Sequence, residues 1–180
     1  MGAYVAFLRG INVVGHRKIK MADLKQVHES MGHWNVATLL QSGNIVFECS
    51  ETDRQKLIQD IATEYEKRLG LHTDVLVRSG AELGEIVREC PFPLSPNREP
   101  RFLHVVLLSG LPSSDAVRNL LMYDGPEEKQ ISEDAMYVYY TEGSGRSKFN
   151  LPFIEKTLAV RATSRNWNTV TKIVELAATY

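Results

Sequence analysis

The sequence predicts an α+β protein: an N-terminal ferredoxin-like β-α-β-β-α-β half over residues 1–80, packed on a second α+β half over 101–180. Three observations predict it. Apolar runs of strand length alternate with stretches of helical period, and a glycine-centred turn splits one apolar stretch into a hairpin. Four of the seven prolines fall in "PFPLSPNREP" (91–100), whose missing N–H donors mark a connector. At 43% hydrophobic and 24% charged residues, a chain of 180 residues can bury a core and is not disordered.

"AYVAFLR" (3–9) is almost continuously apolar, as expected of a central strand covered on both faces. "INVVGHRKI" then interrupts it as a loop. In "MADLKQVHESMG", Met21, Leu24, Val27 and Met31 recur at helical spacing, and Gly32 suits the left-handed position that ends a helix. "NVATLLQSGNIVFEC" reads as two strands around Gln41-Ser42-Gly43-Asn44, because Gly and Asn accept positive φ. Thr52 to Gln55 matches a capping box, and Leu57, Ile58, Ile61, Tyr65 and Leu69 form the apolar stripe behind it. Gly70 stops that helix, and "HTDVLVR" (72–78) is the fourth strand.

Ser79 to Glu82 is a second capping box, opening a helix with Leu83, Ile86, Val87 and Cys90 inward. That helix and the proline-rich stretch make a connector over 81–100. The second half reads strand-helix-hairpin-helix-helix. "FLHVVLLS" (102–109) is the strand and "SSDAVRNLLMY" the helix, while "EEKQIS" and "AMYVYY" pair around Glu133-Asp134. "GSGRSKFN" is a loop whose Asn150 caps "LPFIEKTLAV", and the last helix buries Trp167, Val170, Ile173, Val174 and Ala177.

Charge narrows the partners. A net charge of −1 predicts no bulk attraction to nucleic acid or membranes, although basic residues collect at 1–20 and 143–172. Cys49 and Cys90 are isolated, with neither a zinc-ligand spacing nor a disulfide framework, so no metal is expected, and no pattern asks for a cofactor. The N-terminal stretch lacks a basic leader, Ala6 breaks the myristoylation pattern, and no apolar run reaches spanning length. The expected compartment is the cytoplasm, with no membrane partner.

Candidate chemistry sits in three segments. In "RGINVVGHRKIK" (9–20), Arg9 ends an apolar strand and can hold a carboxylate or phosphate, while Asn12 and Gly15 let backbone amides converge on an anion. The alternative is a solvated connection in which Arg9 pairs with an acid of the same chain. "QSGN" (41–44) is explained as a turn, and a functional role requires Gln41 and Ser42 to face the first loop. In "RATSRNWNTVTKIVEL" (161–176), Trp167 lies on the apolar stripe, and Ser164, Asn166 or Asn168 can cap the helix. Arg161, Thr163 and Arg165 are left over, and two arginines at a helix start oppose its dipole. A bound anion resolves that conflict, and so does an acidic side chain from elsewhere in the fold. The "GSGRSK" loop does not fit the Walker spacing, the five histidines are scattered, and no nucleophile, general acid or general base is identified.

"YVAFLRGINVVGHRKIKM", "QSGNIVF" and "TSRNWNTVTKI" together resemble the bacterial domain-of-unknown-function family 1697 over nearly the whole chain. The resemblance implies an α+β fold with ferredoxin-like halves and no known activity. It also implies signature positions at Arg9, Gly10, Asn12, Gly15, Met21, Ser42, Gly43 and Asn44, and at Thr163, Arg165, Asn166, Trp167, Asn168, Thr169 and Lys172. Val14 stands where the family usually shows Gly. A polar signature from three distant segments suggests that they converge on one cleft between the halves. The leading expectation is a small anionic, phosphate-bearing ligand held by Arg9, Arg161 and Arg165. Asn12, Gln41, Ser42 and Asn166 would orient it, with Asn44 and Thr163 beside them. The alternatives are nucleic-acid binding through the basic chain ends, and a structural polar network with a protein partner.

Overall fold

The computed structural model describes residues 2–12, 18–96, 98–133 and 135–180. Gly15, Val14 and the turn residue Asp134 lie outside them. The described chain forms two four-stranded antiparallel sheets and six helices, a mixed α+β fold as expected. It divides into two compact units, Met1–Glu85 with Lys172–Tyr180, and Ile86–Thr171.

In the first unit the elements are β1 (Tyr4–Leu8), α1 (Met21–Ser30), β2 (Trp34–Leu39), β3 (Asn44–Glu48), α2 (Arg54–Leu69) and β4 (Val75–Ser79), with sheet order β2-β3-β1-β4. The strand period assigns the faces. Ala6, Leu8, Ile45, Phe47, Val75 and Val77 point to one side and pack with Leu24 and Val27 of α1 and Leu57, Ile61 and Tyr65 of α2. Val5, Phe7, Val46 and Leu76 point to the other and are buried as well, which is why β1 reads as an unbroken apolar run. The helix stops fall where the glycines predict: Gly32 has φ +82° and Gly70 φ +60°. The start of α2 differs by one residue. Asp53, not Thr52, is the cap, its carboxylate accepting the Gln55 and Lys56 amides. An aspartate that can also favour the helix dipole outcompetes the neighbouring hydroxyl.

The 40–43 turn is tighter than its sequence suggests. Leu40 (φ +60°) and Gly43 (φ +73°) take the left-handed positions, while Asn44 is a fully buried β3 residue. A Cβ on Gly43 would lie 2.7 Å from Ile11 Cδ1 and 2.8 Å from Leu8 Cβ, so glycine is required for space as well as for φ.

α3 (Gly80–Arg88) follows, opened by the predicted capping box: the Ser79 hydroxyl accepts the Glu82 amide, and the Glu82 carboxylate accepts the Ser79 amide. Only Leu83 of its expected inward residues is fully buried. The second unit holds β5 (Leu103–Leu108), α4 (Ser114–Leu121), β6 (Glu128–Ser132), β7 (Ala135–Tyr139), α5 (Leu151–Leu158) and β8 (Ala162–Asn166), in sheet order β6-β7-β5-β8, before α6 (Trp167–Ala177). Val106, Leu108, Met136, Val138 and Ala162 form its core with Leu120, Ile154 and Leu158. Asn150 caps α5 as predicted, accepting the Phe153 amide.

β8 is the strand that the sequence pattern does not announce. Residues 162–166 are not the start of the last helix; they pair with β5 from Ala162 to Asn166. The Thr163 and Ser164 side chains imitate capping signals, Asn166 ends the strand and caps α6, and an edge strand of five residues carries too few apolar side chains to reveal its period. With β8 in place, the two sheets have the same strand order. Arg78 and Arg165 are each the fourth residue of the corresponding strand, opposite Val5 and Val105, and each is followed by a helix-capping residue, Ser79 or Asn166. Among the described residues no helix is long and apolar enough to cross a membrane.

Candidate functional site

A polar concavity in the first unit lies where β1 ends and β4 begins. Antiparallel pairing sets Leu8 opposite Val75. The Arg9 amide continues the ladder to the Asp74 carbonyl at 3.0 Å, and the Thr73 hydroxyl donates to the Arg9 carbonyl at 2.7 Å. These bonds hold the two chain segments side by side beyond the strands. The Arg9 guanidinium then faces the Asp74 carboxylate at 3.5 Å, with 29% and 45% of the two side chains exposed. The third wall is α2, which contributes Gln59, Ala62, Thr63 and Glu66. Their spacing puts them on one face of the helix. Leu71 and His72 close the rim, the His72 ring 3.6 Å from the Glu66 carboxylate. The cavity is about 710 Å³, within the range of small-molecule sites. Among the described residues its polar lining is mixed, with Arg9 and His72 beside the carboxylates of Glu66 and Asp74.

Arg9 is thus a cavity residue, and it has the same-chain acid that its sequence alternative foresaw. The other expected residues of this unit form a separate hydrogen-bond set. Asn12 (φ +55°) accepts the Ile19 amide at 2.7 Å and donates to the Ile19 carbonyl at 3.0 Å and the Gln41 carbonyl at 2.9 Å. One side chain therefore ties Ile19 to the 40–43 turn. Asn44 donates to the Leu39 carbonyl at 2.7 Å and the Ser42 hydroxyl at 3.0 Å, closing the same turn from within. Asn12 and Asn44 thus both brace the 40–43 turn, Asn12 from Ile19 and Asn44 from within.

In the second unit Thr163 and Arg165 alternate onto one face of β8 and Ser164 onto the other. The Arg165 guanidinium donates to the Thr163 hydroxyl at 2.8 Å and the Ser164 carbonyl at 2.9 Å. Burial lowers its pKa to about 10, which leaves it charged at neutral pH. Because Arg165 belongs to a strand, its side chain follows the sheet face, and the conflict with the helix dipole that its sequence position raised does not arise. Asn166 is the cap of α6, its Oδ1 accepting both the Thr169 amide and the Thr169 hydroxyl at 2.9 Å. Arg161 is exposed; its amide donates to the Ser109 hydroxyl at 3.1 Å and its carbonyl accepts the Ser109 amide at 2.8 Å. This backbone pairing matches that of Arg9 with Asp74 in the other sheet.

Gln59, Thr63, Glu66, His72, Thr73 and Asp74 carry no motif that marks them in the sequence. A polar stripe at 59, 63 and 66 beside the apolar one was the available signal, but such a stripe also describes an ordinary solvated helix face. Among the described residues no group of three or more His, Cys, Asp or Glu is disposed to hold a metal ion.

The fold and this site define an α+β protein with two similarly ordered sheets and a mixed-charge cavity. The sequence profile of the family described as "Protein of unknown function (DUF1697)" matches residues 1–137, and the chain belongs to that family. Its structure is similar to that of the conserved bacterial protein SP0830 from Streptococcus pneumoniae, at 20% identity and a TM-score of 0.75 over 98% of each chain. At that identity the likeness extends to the fold. No curated protein matches the sequence.

Proposed function

We propose that this protein binds a small amphoteric molecule, an amino acid or a phosphorylated amine, in the cavity between the β1 and β4 ends and α2. The observation that carries this reading is the loose ion pair of Arg9 and Asp74 inside a ligand-sized cavity. At 3.5 Å and partly exposed, the pair is worth little as a structural bridge, and a ligand can enter between its members. Arg9 takes the ligand's carboxylate or phosphate through its planar fork. Asp74 and Glu66 take its ammonium, and Thr63, Thr73 and Gln59 supply neutral hydrogen bonds around it. A dianion with no cationic group is disfavoured, because among the described residues two carboxylates face it beside Arg9. The anionic ligand expected from the sequence is therefore refined to one that carries both signs.

The test is thermal denaturation against the twenty amino acids, phosphoserine and phosphoethanolamine, with inorganic phosphate and methylamine as single-charge controls. A ligand present at 100 times its Kd adds about 2.7 kcal/mol, roughly 5–10 °C for a protein of this size. The expected result is a shift with one amphoteric class, no shift with either control, and loss of the shift in Arg9→Ala. Equal shifts with inorganic phosphate would contradict the mixed-charge reading.

A further inference from the structure

Three aromatic side chains in the first unit form a buried chain that ends at a different cavity. The Tyr65 hydroxyl, on α2, lies 2.7 Å from Nε2 of His28 on α1. Nδ1 of His28 lies 2.9 Å from Nδ1 of His33, in the turn before β2. His33 stacks on Phe47 at 4.5 Å and 12° and is 8% exposed. It lines a cavity of about 300 Å³ with Cys49, Glu51, Lys56 and Asp60.

The protons of this chain can be placed by elimination. Tyr65 is fully buried, and among the described residues Nε2 of His28 is the acceptor its hydroxyl meets. A buried hydroxyl proton without an acceptor is costly, so Tyr65 donates to His28. A neutral imidazole carries one proton, which then sits on Nδ1 of His28 and points at His33. Nδ1 of His33 accepts it, and the His33 proton is left on Nε2, the ring nitrogen that makes no bond within the described protein. Burial keeps both rings neutral, lowering His28 to about 3 and His33 to about 4 even though the Asp60 carboxylate favours a charged His33. Burial also raises the Tyr65 phenol, so the chain has no ready proton to deliver. At neutral pH His33 therefore presents its Nε2–H as a fixed donor.

We infer that this second cavity binds a neutral amide-type group, a carbonyl flanked by N–H as in an amide, ureide or nucleobase, with the carbonyl accepting from Nε2 of His33. The charges of the lining select against an anion. The Lys56 ammonium is engaged by Glu51 at 2.7 Å and Asp60 at 3.1 Å, leaving one carboxylate charge in excess among the described lining residues. Those carboxylates accept the ligand's N–H groups. The site is independent of the Arg9 cavity and stands whether or not that cavity binds an amphoteric ligand.

The experiment is ¹⁵N imidazole spectroscopy of the intact chain at pH 7, titrated with uracil and, at equal ionic strength, with acetate. In the free protein the expected pattern is a proton on Nδ1 of His28 and on Nε2 of His33. Uracil on the order of 10 mM, enough to saturate a site of ~1 mM Kd, moves the His33 Nε2 signal while acetate does not. His33→Phe, which keeps the stack on Phe47, abolishes the response of the Ser50 and Glu51 amides to uracil. A proton on Nδ1 of His33 would overturn the inference in the native protein, whatever the variant does. So would a response to acetate as large as that to uracil, or no response to uracil.

Discussion

Arg9 and Asp74 face each other at 3.5 Å across segments that a backbone bond of 3.0 Å and the Thr73 hydroxyl already hold in place. The ion pair is therefore superfluous to the local fold. Arg9→Ala and Asp74→Asn are each expected to change stability by less than about 1 kcal/mol in urea denaturation, the usual limit for an exposed pair. Both should nevertheless weaken binding of the amphoteric ligand about 10-fold or more, as loss of a charge-assisted contact does.

Gly43 carries the opposite expectation. Its φ is +73°, and a methyl group added there would meet Ile11 Cδ1 at 2.7 Å, so Gly43→Ala suffers both backbone and packing strain. The two effects together predict a loss of roughly 2–4 kcal/mol, read as a lower denaturation midpoint with an unchanged slope.

Asn12 separates side-chain from backbone effects. Its three bonds join Ile19 and Gln41, and its φ of +55° is one that glycine tolerates and alanine does not. Asn12→Gly and Asn12→Ala both lose the bonds, at about 1–3 kcal/mol, and the alanine variant loses about 1 kcal/mol more. Equal losses would show that φ at this position is not constrained.

Three histidines make stability depend on acid. His28 is lowered to about 3, and His33 and His104 to about 4, chiefly by burial. Each has its ordinary pKa near 6.5 when unfolded, so between about pH 4 and 6.5 the unfolded chain binds more protons than the native one. The stability these neutral rings contribute is fully present above about 6.5 and falls as the pH drops toward the folded values. The slope approaches about 1.4 kcal/mol per pH unit for each histidine. Thermal melts from about pH 8 to 4 should be flat above about 7 and decline below about 6. His28 and His33 act in the first unit and His104 in the second. His104→Gln, at a ring 3.2 Å from the Ser164 hydroxyl, should reduce the acid slope without removing it.

Much of the fold was legible because local chemistry and packing agree. Gly32, Gly70 and Asn150 mark helix ends that the structure places within a residue or two, and the apolar runs in 3–8 and 44–48 match two buried sheet faces. β8 was hidden because Thr163 and Ser164 carry the same side chains a helix cap uses, just before the true cap Asn166, and only pairing with β5 assigns them to a strand. The site was less legible than the fold. Arg9 stood out as a charge ending an apolar strand. Its cavity partners Asp74 and Glu66 are more than fifty residues away in sequence, and each alone looks like a solvated acid. The Tyr65–His28–His33 chain was invisible for a related reason: His28 and His33 are five residues apart across the turn that ends α1, but no local spacing links them to Tyr65, which meets His28 through the packing of α1 on α2.

The most direct test of amphoteric-ligand binding is an amide-shift map of the ¹⁵N-labelled protein titrated with phosphoserine and with the amino acids. Saturable shifts confined to Gly10, His72, Thr73, Asp74 and the 59–66 face of α2, absent in Arg9→Ala, are the predicted result. Shifts centred elsewhere, or a cavity that no amphoteric molecule perturbs at concentrations on the order of 10 mM, would contradict it.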